Sequence, residues 1–492
     1  MNIGMISLGC SKNRVNSEQM MFLLHRAGHS VSGETEGADV VILNTCGFIE
    51  SAKTEAIETI LELIAAKKEH RIGKLIVAGC FPERHKEEIL SELPEIDAIV
   101  GTGSFDDITK VIENLDKSKL HKYFDSIDAP VSETDRIIST SPVWAYLKIA
   151  EGCDNRCAYC CIPDIRGRFR SRPMENIIDE AKKLVAAGIK ELIIVAQDVT
   201  RYGVDIYGKR RLSDLLTALN EIVGLKWIRL HYLYPNEFDD ELIDVIAKSD
   251  KILKYLDIPI QHIDDKILRE MDRRGTGSDI RDLFKRLRER IPGVVLRTSF
   301  ITGLPGENEA EFARLKEFLQ EAKIERAGVF AYSPEEGTKA ALMDRPDKNT
   351  AEKRAEKLQV LQSKIIEDWN KSRVGSVLTV LVEDIEAEGI GAGDIEVESL
   401  SVEGFEVEGF EVEGFEAEDI EVDVQGQGKK TTYHLARSFA ESPEIDGYIY
   451  VKGPLKPNVF IDIKITEKEN GILIGEPVKL SKHSVCERGS CY

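Results

Sequence analysis

Short apolar runs alternate with amphipathic stretches over residues 1–116. Four of these runs are predicted to be buried strands, because each is brief and ends in Cys, Gly or Thr: "IGMISLGC", "DVVILNTCG", "KLIVAGC" and "DAIVGTG". Stretches such as "NSEQMMFLLHRAG" between them have helical spacing. Alternating strands and helices are typical of a parallel sheet that is covered on both faces. We therefore predict an N-terminal domain, residues 1–116, with an open parallel α/β sheet.

A second series of the same kind occupies residues 142–370, after a polar segment at 117–141 that we expect to be a linker. Its six predicted strands are "VWAYLKIA", "ELIIVAQD", "LKWIRLHYLYP", "KYLDIPIQH", "VVLRTSFITG" and "RAGVFAYSP". Six strand–helix units predict a central (β/α)6 partial barrel. In such barrels the loops that follow the strands form the active site.

From residue 374 the pattern becomes all-β, with runs such as "GSVLTVLVED" and "VFIDIKITE", and predicts a small β-barrel over 374–478. An acidic insertion at about 384–428 interrupts it and contains "VEGFEVEGFEVEGFE" at 402–416. A period of five suits neither a strand nor a helix, and the recurring Gly weakens both. We predict an exposed low-complexity insertion there, and a tail at 479–492.

The charge of the chain is concentrated in this insertion. The net charge of the 492 residues is −21, and 17 acidic residues lie between Glu383 and Asp423, where no Lys or Arg occurs. This balance argues against a general nucleic-acid binder, which would be basic. No run approaches the roughly 18 apolar residues of a membrane span, and the N-terminus lacks the pattern of a signal peptide. We expect a cytoplasmic protein without a membrane partner.

Three of the predicted N-terminal strands end on a cysteine, namely Cys10, Cys46 and Cys80. Nine cysteines in a reducing compartment are not expected to form disulfides. The carboxyl ends of parallel strands share one edge of a sheet, where ligands bind. We therefore predict that these three thiols meet in a shared metal site. The alternative is that each is a small buried apolar residue.

A second group of cysteines follows the first barrel strand in "EGCDNRCAYCC", at Cys153, Cys157, Cys160 and Cys161. Structural zinc usually takes four ligands in two pairs, and only His231 or His262 is available as a late fourth ligand. Thiolates also bind iron–sulfur clusters. Three ligands on a four-iron cluster leave one iron open to a small molecule.

The segment "CDNRCAYC" after the first strand of a six-unit barrel resembles the radical S-adenosylmethionine superfamily. The resemblance implies that Cys153, Cys157 and Cys160 hold a 4Fe–4S cluster whose fourth iron is chelated by S-adenosylmethionine. It also implies that Tyr159 lies beside the adenine, and that cleavage of the cofactor gives a 5′-deoxyadenosyl radical. The cofactor supplies the difficult chemistry, and the protein positions it and excludes water.

Polar residues at two other strand ends are candidates for cofactor contacts. Gln197 ends the second barrel strand, where barrels place ligand contacts. The segment "ITGLPGE" resembles the one that lies along the adenosyl group in radical enzymes, so Gly303 and Glu307 are expected to contact the cofactor. An ordinary tight turn is the alternative for this segment.

The resemblance extends to the methylthiotransferase family through "LGCSKN", "NTCGFIESAK" and "VAGCFPER". It implies that Cys10, Cys46 and Cys80 bind a second 4Fe–4S cluster, and that the terminal barrel is TRAM-like. In this family sulfur is loaded on the second cluster, methylated by one S-adenosylmethionine and inserted at a carbon radical made by another. An electron donor such as flavodoxin or ferredoxin is also expected.

Two branches of the family differ in substrate. "IRGRFRSRP", "AQDVTRYGVDIYG", "DIPIQH" and "SPEIDGYIYV" resemble the branch that modifies the β-carbon of an aspartate in small-subunit ribosomal protein twelve. An acidic barrel favours a basic protein over RNA, unless the insertion has no binding role. We therefore expect a ribosomal protein substrate and no direct RNA substrate. Transfer-RNA adenosine methylthiotransferase is the alternative, and a non-enzymatic iron–sulfur or zinc scaffold is an alternative of another class.

Arginine recurs at every second position from Arg166 to Arg172. At least one of these side chains is expected to bind a carboxylate of the cofactor or substrate, although the pattern does not indicate which one. A phosphate-binding patch and surface ion pairing are the alternatives. Cys161 is expected to pack as a small residue, and Cys486 and Cys491 are predicted to be incidental thiols of the tail.

Overall fold

The computed structural model describes residues 1–115, 121–387, 433–469 and 471–478. It contains two compact units, of which one comprises Met1–Gln362 and the other comprises the described residues from Ser363 onward. The predictions for the repeat array at 402–416, most of the acidic insertion, the tail at 479–492, Cys486 and Cys491 lie outside the described residues.

The first unit begins with a six-stranded sheet in which every pairing is parallel, in the order β2-β1-β3-β4-β5-β6. Its strands are β1 (Asn2–Ser7), β2 (Ser30–Ser32), β3 (Val40–Thr45), β4 (Lys74–Gly79), β5 (Ala98–Val100) and β6 (His121–Tyr123). Its helices are α1 (Ser11–Arg26), α2 (Glu50–Lys68), α3 (Cys80–Arg84), α4 (Lys86–Glu92) and α5 (Ile108–Asn114). The predicted open parallel α/β sheet is confirmed.

Both faces of this sheet are buried, as its continuous apolar runs require. All six residues of β3 are buried. Ile42 and Ile76 pack with Leu24 of α1 on one face, whereas Val41 packs with Ile60 of α2 on the other. Successive side chains of a strand point to opposite faces, so strands covered on both sides lack polar alternation.

One strand of this sheet lies in the segment that we expected to be a linker. Residues 121–123 pair in parallel with β5 to form the edge strand β6. The run His-Lys-Tyr has only three residues and no apolar stretch, so it gave no strand signal. The segment that follows it also contacts the rest of the unit, since Arg136 pairs with Glu18 and with Glu180.

The second sheet has six parallel strands in the order β14-β13-β12-β11-β10-β7. They are β7 (Trp144–Lys148), β10 (Glu191–Val195), β11 (Trp227–Leu230), β12 (Ile252–Asp257), β13 (Val295–Thr302) and β14 (Arg326–Ala331), and a small antiparallel pair joins β8 (Ala150–Glu151) to β9 (Arg170–Ser171). These six strands match the six predicted ones, and the (β/α)6 partial barrel is confirmed.

Helices separate the strands of this second sheet. They are α6 (Ile162–Arg166), α7 (Met174–Ala186), α8 (Val204–Tyr207), α9 (Leu212–Asn220), α10 (Asp240–Lys248), α11 (Asp265–Glu270), α12 (Gly277–Arg290) and α13 (Glu309–Ala322). A long helix, α14 (Lys348–Arg373), follows β14. Short 3-10 turns occur at Phe105–Asp107, Val199–Arg201, Pro235–Glu237 and Ala340–Leu342.

The second unit contains a closed five-stranded barrel in the order β15-β16-β17-β19-β18. Its strands are β15 (Val377–Ala387), β16 (Tyr433–Arg437), β17 (Ile449–Lys452), β18 (Phe460–Glu469) and β19 (Ile472–Pro477). Alternate residues such as Val380, Val382, Ile463 and Ile465 fill its interior. The predicted all-β barrel is confirmed. In the described portion of the chain, no helix has the length and apolar character needed to span a bilayer.

Candidate functional site

Three cysteines of the N-terminal sheet lie at the carboxyl ends of adjacent strands. Cys10 follows β1 and is the N-cap of α1, Cys46 follows β3 directly, and Cys80 is the first residue of α3 after β4. Strands β1, β3 and β4 are neighbours in the sheet. The predicted meeting of the three strand ends at one edge is therefore what the fold produces.

Glycines beside the cysteines allow these loops to approach one another. Gly9 has a φ of +85°, and a Cβ added there would lie 2.7 Å from the Cβ of Cys46. Gly79, next to Cys80, has a φ of +101°, which L side chains rarely adopt. Asn13 then ties two loops together, because its Nδ2 donates to the carbonyl oxygens of Leu8 at 3.1 Å and Thr45 at 2.8 Å.

The electrostatics of this trio favour a positively charged ligand. Burial raises the pKa of Cys46, and the neighbouring Cys80 and Cys10 raise it further. Burial also raises the pKa of Cys80, although Arg166 opposes the shift. Cys46 and Cys80, whose pKa values are both raised, would become thiolates more readily beside a cation. The donor set therefore fits iron, which thiolates bind.

The second group of cysteines lies in the loop after β7 and β8. Cys153 is buried, and Cys157 and Cys160 are half-buried. The loop turns back on itself, because the amide of Cys160 donates to the carbonyl of Cys157 at 3.0 Å and the amide of Cys153 donates to that of Gly167 at 3.1 Å. The three predicted ligands therefore lie in one folded loop that follows β7 and β8.

The thiols of this loop also disfavour one another's ionisation. Burial raises the pKa of Cys153 to about 11, and Asp198 and Cys157 contribute to the shift. Burial likewise raises the pKa of Cys160 well above its usual range, together with the nearby cysteines. Among the residues that the structure describes, no three His, Cys, Asp or Glu side chains converge closely enough to hold one metal ion. The cluster assignments of both trios therefore stay predictions.

Tyr159 is held in place by Arg273, whose Nη1 donates to the tyrosine oxygen at 3.0 Å. The same nitrogen lies 3.8 Å from the Sγ of Cys157, and Nη2 donates to the carbonyl of Pro259 at 2.7 Å. The ring of Tyr159 packs against a small apolar cluster that includes Met271. These contacts define its position beside the cysteine loop, and its contact with an adenine stays a prediction.

Glu151 is the centre of a buried ionic network at the end of the first barrel strands. Lys148 donates to its Oε2 at 2.9 Å, and Gln197 Nε2 donates to its Oε1 at 2.6 Å. Burial raises the pKa of Glu151, but Lys148 and Arg166 outweigh burial and lower it well below its usual range. The other amide atom, Gln197 Oε1, is buried without a hydrogen-bond partner. A free buried acceptor at this edge fits a ligand that donates N–H groups.

Gly303 and Glu307 belong to a network behind the fifth strand. The amide of Gly303 and the Nη1 of Arg354 both donate to Glu307 Oε1, at 2.9 and 2.8 Å. His262 Nε2 lies 3.3 Å from Glu307 Oε2. Gly303 has a φ of +74°, and a Cβ there would clash with Ala351 of α14. These contacts order the loop, and its contact with a cofactor stays a prediction.

Arg166 connects the segment that follows the barrel's cysteine loop to the N-terminal trio. Its Nε and Nη2 lie 3.3 and 3.2 Å from the Sγ of Cys80, at donor distance. Its Nη1 donates to Asn16 Oδ1 at 2.9 Å and to Glu151 Oε2 at 3.4 Å. The sequence pattern did not distinguish this buried arginine from its neighbours. It reaches from the loop of the barrel to the edge of the N-terminal sheet.

The other arginines of this run have different surroundings. Arg172 is buried and pairs with Glu133 and Glu180, each at 2.6 Å. Arg170 donates to the carbonyl of Arg166 at 3.1 Å. Arg168 is exposed. The carboxylate partners observed for this run are therefore the chain's own.

Cys161 packs against residues of the N-terminal domain and of α6. It forms an apolar cluster with Cys80 and Ile165, against which Phe48 packs. Its Sγ lies 3.6 Å from the carbonyl of Phe48. Burial raises its pKa to about 11. These contacts agree with the expectation of a small packing residue.

Sequence reasoning missed Lys12 and Tyr232. The Nζ of Lys12 lies 3.5 Å from the centroid of the Tyr232 ring. Tyr232 follows β11 and has a φ of +57°, an uncommon conformation for a non-glycine residue that concentrates at functional sites. The available signal was the position of Lys12, only two residues after Cys10.

Three family models match the chain. The radical SAM superfamily matches residues 147–319, the family described as Uncharacterized protein family UPF0004 matches residues 2–101, and the TRAM domain matches residues 418–478. The first two matches contain the two cysteine trios. The third extends over four of the five barrel strands.

Curated relatives match along nearly the whole chain. One from Acetivibrio thermocellus, named ribosomal protein uS12 methylthiotransferase RimO, is 43% identical over 490 residues and covers 97% of this chain and 99% of its own. A protein of the same name from Thermoanaerobacter sp. is 43% identical over 479 residues, with coverages of 96% and 99%. A third, from Clostridium botulinum, is 46% identical over 391 residues, with coverages of 78% and 87%.

Solved structures share the fold at low identity. The radical S-adenosylmethionine methyltransferase TsrM from Kitasatospora setae, with tryptophan substrate and a SAM analogue bound, gives a TM-score of 0.50 at 14% identity. The match covers 67% of this chain and 72% of that chain. At this identity the likeness concerns the fold alone.

Proposed function

The chain belongs to the RimO family of ribosomal protein uS12 methylthiotransferases, and we propose that it inserts a methylthio group at the β-carbon of an aspartate in uS12. The observation that carries the proposal is that Arg166, which follows the cysteine loop of the barrel, contacts Cys80 of the N-terminal trio within one compact unit. A single trio would suit many radical enzymes. Two trios in one unit suit an enzyme that both makes a radical and delivers sulfur.

We propose that Cys153, Cys157 and Cys160 bind one 4Fe–4S cluster, and that Cys10, Cys46 and Cys80 bind a second. Membership of the radical SAM family implies the first cluster and S-adenosylmethionine. The second is supported by the adjacent strand ends and by the buried thiols there. When bound, these groups supply the carbon radical and the methylated sulfur, from two S-adenosylmethionine molecules.

The chain's own residues position these groups and exclude water. Gln197 Oε1 is a buried acceptor at the barrel edge, and we propose that it accepts from the ammonium of S-adenosylmethionine. Tyr159, fixed by Arg273, is proposed to lie against the adenine. Gly303 and Glu307 are proposed to shape the wall along the adenosyl group, since Glu307 orders that loop.

The proposed macromolecular partner is uS12, a basic protein that suits the acidic chain. A flavodoxin or ferredoxin is proposed as the electron donor. Nothing in the proposal requires an RNA substrate. A transfer-RNA methylthiotransferase would share both trios, so the substrate must be tested directly.

The test uses the iron-loaded enzyme under anaerobic conditions with S-adenosylmethionine, sulfide and a reductant. Purified uS12 and transfer RNA are offered in separate reactions, and both are analysed by mass spectrometry. We expect one methylthio group on an aspartate of uS12 and none on the RNA. Modification of the RNA alone would contradict the proposal. Metal analysis of the enzyme as purified, before iron loading, tests the scaffold alternative, which would be supported by zinc instead of iron together with no 5′-deoxyadenosine from the loaded enzyme.

A further inference from the structure

Lys12 is a buried cation that lacks an anionic partner. It is only 7% exposed, and its ammonium lies over the ring of Tyr232. Among the residues that the structure describes, no carboxylate lies within ion-pair distance of it. A buried charge is costly unless it is paired. A cation–π contact offsets part of this cost, and an anion would offset the rest.

The other buried cations near the two trios already have partners. Lys148 and Arg166 share the carboxylate of Glu151. Arg273 uses its guanidinium on the oxygen of Tyr159 and the carbonyl of Pro259. Among the described residues, Lys12 is thus a buried cation of this region with hydrogen-bond donors available to a ligand.

The position of Lys12 is that of a substrate-binding group. It lies two residues after Cys10, on the first turn of α1. Its aromatic neighbour Tyr232 follows β11, at the barrel edge where loops form the active site. The backbone amide of Tyr232 donates to Asp257 Oδ2 at 3.0 Å. This hydrogen bond holds the backbone of Tyr232 in its positive-φ conformation and thereby positions the ring. The ammonium thus lies between the edges that bear the two trios.

We propose that Lys12 binds the side-chain carboxylate of the target aspartate, and that Tyr232 holds the ammonium in place. The inference rests on the proposed function and deepens it, because it names the group that recognises the substrate side chain. A carboxylate next to the reacting β-carbon would position that carbon between the two edges. A charge-assisted hydrogen bond distinguishes aspartate from asparagine, which has the same shape but no charge.

The experiment measures the affinity of purified uS12 for the iron-loaded enzyme, anaerobically. Two forms of uS12 are compared, one with the target aspartate and one with asparagine in its place. Wild-type enzyme is expected to prefer the aspartate form by about tenfold to about a hundredfold. Lys12→Met should bind both forms equally, whereas Lys12→Arg should retain a preference for aspartate.

A second pair of variants tests the aromatic support without removing the charge. Tyr232→Phe keeps the ring and should preserve the preference, and Tyr232→Leu removes the ring and should reduce it. These variants keep the inference testable should Lys12→Met fold poorly. Iron content is measured for every variant.

Three results would overturn the inference. The first is an undiminished preference for aspartate in Lys12→Met. The second is loss of iron from the N-terminal trio in Lys12→Met, which would make Lys12 a counter-charge for the cluster. The third is failure of the wild-type enzyme to bind either form of uS12, which would overturn the proposed function as well. The first two results leave the proposed function intact.

Discussion

The guanidinium of Arg166 faces the Sγ of Cys80 with two nitrogens, at 3.3 and 3.2 Å. The arginine belongs to the cysteine loop of the barrel, and the cysteine belongs to the N-terminal sheet. Asn13 and Asn16 accept from the same guanidinium, which restricts its movement. Hydrogen bonds to cluster sulfurs tune reduction potentials. Arg166 is thus placed to tune a cluster at the N-terminal trio.

Replacing Arg166 with Met should lower the reduction potential of the proposed second cluster, because two N–H donors that stabilise the reduced state are lost. The potential is measured by redox titration in a protein whose Cys153, Cys157 and Cys160 are alanine, so that only the N-terminal trio binds iron. Arg168→Met is the matched control, since Arg168 is exposed in the same loop. An unchanged potential in Arg166→Met would show that the contact does not reach the cluster.

The different environments of the four arginines at 166–172 could not be predicted from the sequence. Arg166, Arg168, Arg170 and Arg172 alternate as if on one face of a strand, yet their surroundings differ. Arg166 ends the helix α6, and Gly167 then takes a φ of +72° and redirects the chain. The residue that Arg166 contacts is 86 positions away in sequence. Such pairing depends on the packing of two sheets, which local patterns do not encode.

Iron content and cofactor cleavage should distinguish the two proposed cluster sites. Cys46→Ala should keep about four of about eight irons. It should still form 5′-deoxyadenosine but should fail to insert sulfur. Cys157→Ala should lose cleavage of S-adenosylmethionine. Iron analysis and a 5′-deoxyadenosine assay check both. Cys161→Ala is the control and should retain all the iron, because Cys161 packs against Phe48 and Ile165. A methylthio product from Cys46→Ala would refute the second site.

A methyl group at Gly9 should damage the N-terminal site alone. Its Cβ would lie 2.7 Å from that of Cys46, and the φ of +85° is strained for alanine. Gly9→Ala should therefore lose the iron of the N-terminal trio and keep that of the barrel loop. Gly33→Ala is the control, because no atom lies within 4 Å of a Cβ there. Full iron content in Gly9→Ala would contradict the close packing of these loops.

The parts of the fold that followed from the sequence are those with strong local signals. Buried parallel strands are continuous apolar runs, so Cys10, Cys46 and Cys80 could be assigned to strand ends without a structure. The edge strand β6 was missed because its three residues are polar or aromatic and give no strand pattern. They form a strand because β5 supplies the hydrogen-bonding partner. Lys12 was missed because its burial depends on Tyr232, which is 220 positions away.

A buried ion pair joins the N-terminal sheet to the last barrel loop. Arg84 donates to Glu335 Oε2 at 2.9 Å, and the side chains are only 12% and 6% exposed. Removing one charge leaves the other buried, so Glu335→Gln should lower the free energy of unfolding by about 3 to 5 kcal/mol. Urea unfolding measures this change in the free energy of unfolding. A double-mutant cycle that combines Glu335→Gln with Arg84→Met isolates the interaction between the two side chains. Asp135→Asn, in the exposed pair with Lys183, should cause no measurable change. Equal effects in both pairs would contradict the importance of burial.

His85 should make stability depend on pH. Burial lowers its pKa, Lys53 and Arg84 lower it further, and Glu88 opposes them. Its Nδ1 lies 2.9 Å from Glu88 Oε2, and in the described chain its Nε2 has no acceptor for a second proton. In the unfolded chain this imidazole has a pKa of about 6.5 and therefore binds more protons than in the folded chain. The free energy of unfolding should thus fall as the pH drops below about 6.5.

Urea unfolding at about pH 8 and about pH 5.5 tests the role of His85. Between these two pH values, His85→Gln should lose less free energy of unfolding than wild type. His25→Gln is the control, since the side chain of His25 is exposed. A loss in His85→Gln as large as in wild type would assign the pH dependence to other groups.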